Sequence, residues 1–128
     1  MIRVLLAEDH AVVRAGLAQL LDRAGDIEVV GAAADGAEAV ELTGAHAPDV
    51  ILMDLSMPVM DGLAATEALR AARPEARVIV LTAEGTDARG KAMLAGAHAL
   101  VPKGTRLEAL LRCLRTVAAG GTGCPYCL

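Results

Sequence analysis

The chain has 128 residues, 55% of them hydrophobic but with no Trp, no Phe and one Tyr, and a net charge of −4 from 16 acidic and 12 basic side chains; this is the length of one ordinary domain with an aliphatic core. The acidic balance and the scattered basic residues argue against nucleic-acid binding by this chain itself, and no apolar stretch approaches the ~20 residues of a bilayer crossing or resembles a signal peptide. The three cysteines all lie beyond residue 112 and make no disulfide framework for a core, which fits a reducing cytoplasm and predicts a cytoplasmic protein.

Ile2 to Ala7 reads as a strand buried on both faces, and it ends in Glu8-Asp9. From a start near Ala11, Val13, Leu17, Leu20 and Leu21 fall at helical spacing, and Ile27 to Ala33 is the second strand. A helix from Ala37 to roughly Ala45 precedes the third strand, Asp49 to Met53, which runs into Asp54 and the loop Leu55-Ser56-Met57-Pro58-Val59-Met60-Asp61-Gly62. Leu63 to Ala72 is a helix that Pro74 helps to stop, and Val78 to Leu81 is the fourth strand. Thr86 to Ala95 is the weakest helix, bracketed and interrupted by Gly85, Gly90 and Gly96; an interior glycine costs on the order of 1 kcal/mol against alanine. Ala99 to Val101 is a short fifth strand, and Pro102 suits the end of an edge strand. Leu107 to Ala118 is the clearest amphipath, with Leu107, Leu110, Leu111, Leu114 and Val117 on one stripe and Arg112 and Arg115 away from it.

Strands alternating with helices predict an α/β fold: a doubly wound, five-stranded parallel sheet with five helices and a flavodoxin-like strand order of 2-1-3-4-5. In that order strands one and three are neighbours, and ligands bind in the crevice at their carboxyl ends. Glu8, Asp9 and Asp54 would collect there, with Thr82 and Lys103 at the ends of the fourth and fifth strands. Carboxylates gathered in one crevice repel one another, which raises their pKa values until a cation relieves the repulsion. Mg²⁺ suits such a site, because it takes octahedral oxygen at roughly 2.1 Å and needs only one or two protein carboxylates. Asp54 is then free to attack phosphorus, with Lys103 offsetting charge on the equatorial oxygens and the Thr82 hydroxyl bonding one of them. Each residue also has an ordinary reading: Asp54 as a turn residue, Glu8-Asp9 as a cap on the first helix, Thr82 as a strand residue, Lys103 as a solvated lysine. Agreement among four strand ends at one edge favours the chemical reading. Of the histidines, His10 is expected at the start of the first helix beside the acids, and His46 and His98 in polar turns.

Leu5-Leu6-Ala7-Glu8-Asp9-His10, the stretch from Asp54 to Gly62, Leu81-Thr82-Ala83 and the segment from Ala95-Gly96-Ala97 to Lys103 together resemble the receiver domain of two-component response regulators. Residues Asp9 to Leu17 are most similar to the NarL/FixJ-type (LuxR-class) subfamily. The resemblance implies a CheY-like receiver domain over residues 1–119, with Asp54 as phosphoacceptor for a sensor histidine kinase. It further implies Mg²⁺ held by Glu8, Asp9, Asp54 and the Ser56 backbone carbonyl, with Thr82 and Lys103 sensing the phosphoryl group. Such a domain is a signalling switch that catalyses only its own phosphorylation and dephosphorylation. Its apolar last helix could serve a homodimer, and DNA would be reached only through an output domain that these residues do not contain. The alternative is a phosphate-independent interaction module that keeps the acidic pocket as a relic.

Three departures from the family pattern stand out. Leu100 occupies the place of the switch aromatic, Gly104 follows Lys103 while Pro102 precedes it, and Ser56 and Glu84 stand where the family tunes dephosphorylation. Residues 120–128 read as a glycine-rich linker or tail, expected to be disordered. Within it Cys124-Pro125-Tyr126-Cys127 resembles the redox motif of glutaredoxins, but no helix N-terminus follows to lower a thiol pKa. Half of a zinc site shared between two chains is a further reading of the pair.

Overall fold

The computed structural model describes residues 1–83 and 87–128. Strands and helices alternate as β1 (Ile2–Ala7), α1 (Ala11–Asp22), β2 (Ile27–Ala33), α2 (Gly36–His46), β3 (Val50–Asp54), α3 (Gly62–Ala72), β4 (Arg77–Thr82), α4 (Asp87–Ala95), β5 (Ala99–Pro102) and α5 (Leu107–Ala118). The strands form one parallel sheet in the order β2-β1-β3-β4-β5, so the predicted fold and strand order are correct. Glu84, Gly85 and Thr86 lie outside the described residues. β3 extends one residue past its predicted end, which makes Asp54 its last residue, and β4 reaches Thr82.

Every residue of β3 is buried, as expected for the central strand of a sheet covered on both sides. Side chains alternate between the faces. Leu5, Ile51, Met53, Val78 and Val80 meet Ala39, Ala65, Leu69, Ala88 and Ala92 of α2, α3 and α4. Val4, Leu6, Val50, Leu52, Ile79 and Leu81 meet Leu21 of α1 and Leu110, Cys113, Leu114 and Val117 of α5. Alanine-rich helix faces can approach a sheet closely, which is how the core is filled without aromatic rings. Of the α5 stripe, Leu110, Leu114 and Val117 are thus buried in the domain's own core, and Leu111 packs partly buried against it. On α1 only Leu21 of the predicted stripe is fully buried, while Val13 and Leu20 are exposed.

The tail differs from the disordered segment expected of its composition. It runs antiparallel along the outer edge of β5, where the Leu100 N–H donates to the Tyr126 carbonyl at 3.0 Å, the Leu128 N–H donates to the His98 carbonyl at 3.0 Å, and Ala99 bridges Cys127. An edge strand presents unpaired backbone groups that such a segment satisfies. Leu128 packs against one face of the core, and Cys124, Tyr126 and Cys127 pack against the other.

His98, just before β5, ties that strand to β4. Its N–H donates to the Val78 carbonyl at 2.8 Å, and its Nδ1 accepts from the Val78 N–H at 3.1 Å. An accepting Nδ1 carries no proton, and burial, reinforced by Arg70 and Arg77, lowers the His98 pKa from the usual 6.5. Just below that value the unfolded chain binds more protons than the folded one, so this contribution is complete above the unfolded pKa and is lost as pH falls through the folded pKa. Thermal unfolding followed by circular dichroism at about pH 7.5 and 5.5, on either side of the histidine value, should show a drop in Tm at the lower pH. That drop should shrink in His98→Asn, which keeps an acceptor but cannot titrate.

Candidate functional site

β1 and β3 lie side by side with Ala7 opposite Met53, so the residues that follow each, Glu8 and Asp54, stand together at the carboxyl edge of the sheet. Asp54 is opposite Leu81 on β4. The Lys103 N–H donates to the Thr82 carbonyl at 2.7 Å, which fastens the end of β5 to the end of β4. The four strand ends read from the sequence therefore meet at one edge.

Asp54 and Glu8 are only 1% and 2% exposed, and Lys103 reaches between them. Its Nζ lies 3.0 Å from Asp54 Oδ1 and 3.5 Å from Glu8 Oε2, and the Ser56 N–H donates to Asp54 Oδ1 at 3.3 Å. Burial raises the Asp54 pKa, Lys103 opposes the rise and Glu8 adds to it, with the net effect upward. For Lys103 burial pulls the pKa down, but the Asp54 and Glu8 carboxylates outweigh it and leave the value raised. His10 lies beside the acids as expected, with Nδ1 at 3.0 Å from Glu8 Oε1 and 3.1 Å from Asp9 Oδ1. The hydrogen bond to Glu8, then the charge of Asp9, raise its pKa.

Two buried carboxylate oxygens make no hydrogen bond among the described residues: Asp54 Oδ2, and Asp9 Oδ1, whose only close polar neighbour there is the His10 ring at 3.1 Å. An unsatisfied buried acceptor costs roughly 1–3 kcal/mol, so two of them at one strand edge point to a cation. Hard oxygen donors of this kind suit Mg²⁺ over softer metals. Ligand atoms of Glu8, Asp9 and His10 lie within 4.8 Å of one another; Asp54 is not in that tight group. The alternative use of the acids as a helix cap is not realised. His10 is the N-cap of α1 and makes no side-chain cap bond, whereas Asp35 and Asp61 do cap α2 and α3, accepting from the Glu38 and Ala64 N–H groups at 2.8 Å.

The loop between β3 and α3 holds Asp54 through contacts that the sequence does not reveal. A Cβ on Gly62 would stand 2.2 Å from the Asp54 carbonyl oxygen and 2.9 Å from Leu55 Cα, and one on Gly36 would stand 2.1 Å from the Met60 carbonyl oxygen. Both glycines thus permit backbone to approach backbone. Val59, in the same loop, has φ 67, a strained conformation for a β-branched residue. The turn after Lys103 is made by Gly104, at φ 90, and by the Thr105 hydroxyl, which donates to the Pro102 carbonyl at 2.7 Å. Arg14, absent from the sequence-based site, donates to the Glu8 carbonyl at 2.7 Å. Thr82 is buried and Leu100 is half-buried against the core. A cleft of about 520 Å³, lined in part by Asp9, Ser56, Met57 and Lys91, opens beside the loop.

A family model described as the response regulator receiver domain matches residues 4–115. The transcriptional regulatory protein LiaR of Bacillus subtilis is 41% identical over 94% of this chain and 57% of its own length. The chain spans little more than half the length of the curated relatives it matches. Among solved structures, a LuxR-family two-component response regulator from Aurantimonas sp. SI85-9A1 superposes with a TM-score of 0.87 at 34% identity, covering 93% of this chain and 86% of that one. A CheX-CheY-BeF3-Mg²⁺ complex from Borrelia burgdorferi matches with a TM-score of 0.84 at 27% identity, covering 91% of this chain and 88% of that one.

Adding a methyl at Gly62 has to displace the backbone that carries Asp54. Gly62→Ala is expected to cost about 1–3 kcal/mol in urea denaturation, whereas Gly90→Ala, with open space around the new Cβ, should be stabilising by up to about 1 kcal/mol. Lys103→Met leaves Asp54 and Glu8 buried without their ammonium. Because the Lys103 side chain is 34% exposed, the loss at pH 7 should be about 1–3 kcal/mol, below the full value for a buried pair. Asp54 already has a raised pKa, so the deficit should grow as pH rises through that pKa and shrink below it, where the carboxyl is protonated.

Proposed function

Because the chain belongs to the response regulator receiver domain family, with relatives of the NarL/FixJ type, we propose that Asp54 is its phosphoacceptor and that Mg²⁺-dependent phosphorylation there switches a surface read by a partner. One observation carries the reading. Asp54 is buried with Oδ1 held 3.0 Å from the Lys103 ammonium, while Asp54 Oδ2 and Asp9 Oδ1 lack a hydrogen-bond partner among the described residues. A nucleophilic oxygen, acceptors that call for a cation, and an ammonium thus share one strand edge.

In the proposed reaction an Asp54 carboxylate oxygen attacks the phosphorus of the donor. A new O–P bond forms as the bond from phosphorus to the leaving group breaks, and the leaving group keeps the electron pair and then takes a proton. For a sensor histidine kinase the leaving atom is an imidazole nitrogen. Lys103 offsets charge on the equatorial oxygens, and the Thr82 hydroxyl donates to one of them. Glu8, Asp9, Asp54 and the Ser56 carbonyl are the residues that would hold Mg²⁺. When bound, the ion supplies neutralisation of the phosphoryl charge. The Borrelia burgdorferi complex, which contains Mg²⁺ and BeF3, lends support by similarity.

No described helix is long and apolar enough to cross a membrane, and a cytoplasmic place beside a sensor kinase belongs to the same proposal. So does an effect on transcription, which would run through a DNA-binding output domain not present among these residues.

Incubation with Mg²⁺ and acetyl phosphate followed by intact mass measurement should add one phosphoryl group to the parent chain and none to Asp54→Asn or to a chelator-treated sample. Asp9→Asn should slow the reaction about tenfold or more. A folded parent that gains no mass in excess Mg²⁺ would replace this reading with a phosphate-independent interaction module.

A further inference from the structure

Three sulfurs that the phosphoryl site does not use converge at the outer edge of β5. Cys124 Sγ lies 2.7 Å from Cys127 Sγ and 3.2 Å from Cys113 Sγ. Cys113, on α5, is fully buried, while Cys124 and Cys127 are partly exposed, so only the latter two are open to a solute. Residues 124–127 form a turn in which the Cys127 N–H donates to the Cys124 carbonyl at 3.1 Å. Pro125 stands at the second position of that turn, where its fixed φ is favourable. The local backbone therefore holds the sulfurs of Cys124 and Cys127 at a separation little above the ~2.05 Å of a disulfide. A metal would set them further apart: bonds of about 2.3 Å arranged tetrahedrally place sulfurs roughly 3.8 Å from one another.

We propose that Cys124 and Cys127 form a reversible dithiol-disulfide couple, oxidised by low-molecular-weight disulfides, whose closed form clasps the tail onto the β5 edge. Cys124 is the attacking thiol. Burial opposes its ionisation, but the neighbouring Cys127 and Cys113 side chains and the backbone at Tyr126 and Cys127 favour its thiolate and bring its pKa below the usual thiol value. These neighbours take the part of the helix N-terminus that the tail lacks. The Cys124 thiolate attacks one sulfur of the small disulfide and forms a mixed disulfide, expelling one thiolate that takes up a proton. Cys127 then loses its proton and attacks Cys124 Sγ, and the second small thiol leaves. In sum, two protein thiols and one small disulfide become one protein disulfide and two small thiols.

The bond that results closes a ring over residues 124–127, which includes the first of the two points where the tail meets β5. The Tyr126 carbonyl accepts from Leu100 inside that ring, and the Leu128 N–H donates to His98 just outside it. With the ring closed, the tail keeps the register these bonds require. With it open, the same segment is held on the edge by fewer constraints.

The full-length chain, reduced and then exposed to oxidised glutathione, should be quenched in acid, alkylated with iodoacetamide and cut with chymotrypsin, which cleaves after Tyr126. The expected map joins Cys124 to Cys127 across that cut and leaves Cys113 alkylated only after unfolding. Cys127→Ser should stop with glutathione on Cys124. In the oxidised parent, hydrogen exchange at the amides of Leu100 and Leu128 should slow about tenfold. A Cys113-Cys124 link, glutathione adducts without an internal bond in the parent, stoichiometric Zn²⁺ retention that blocks oxidation, or unchanged exchange in the disulfide form would each overturn the proposal.

Discussion

Two carboxylates end their strands inside a sheet covered on both faces, where an isolated negative charge would be driven to take up a proton. Lys103 keeps Asp54 and Glu8 usable by placing its ammonium within 3.0 Å of one and 3.5 Å of the other. Much of the surrounding architecture serves that contact. The Lys103 N–H is bonded to the Thr82 carbonyl, Gly104 turns the chain away behind it, and Gly62 lets α3 press against the Asp54 carbonyl. The ammonium does not fill the acid's bonding capacity. Asp54 Oδ1 is engaged and Oδ2 is not, so the two oxygens of one side chain are left with different chemical prospects.

On the proposed reading, this division also explains how a buried acid would serve as a nucleophile. A carboxylate fully paired with fixed donors would be stable and inert, and one with no partner would be protonated. Here one oxygen is anchored and the other is unsatisfied, near an Asp9 oxygen that makes no hydrogen bond and has the His10 ring at 3.1 Å. The arrangement is costly for folding and is maintained by a core that is otherwise well packed, with β3 buried from end to end. The stability of the sheet offsets the disfavoured electrostatics at its edge.

The fold was legible because the pattern was simple. Ile27 to Ala33 and Leu107 to Ala118 coincide with β2 and α5, since a β-branched run bounded by turn residues and a strongly striped helix leave little doubt about period, although β2, at the sheet's edge, buries only Ile27 and Ala33. Parallel topology then did the rest for the site: it sends every strand's carboxyl end to one edge, so Glu8, Asp54, Thr82 and Lys103 had to be near one another. Other features depend on distance through space and leave no local mark. Gly62 follows an Asp at a helix start and reads as an ordinary first-turn residue, yet a backbone oxygen lies where its Cβ would be. The α1 stripe was visible, but periodicity does not tell how deep a stripe sinks, and Val13 and Leu20 remain at the surface. The bonds between the tail and β5 were not legible, because glycine content describes the unpaired chain. It says nothing of an edge strand waiting for hydrogen bonds.

Tyr126 is the chain's one aromatic residue, and its carbonyl is bonded to β5 at the sheet's rim. Absorption and emission in the near ultraviolet thus originate almost wholly from a single half-buried phenol at the margin of the core. Light at those wavelengths is blind to the centre of the molecule, and what it reports is the attachment of its final segment.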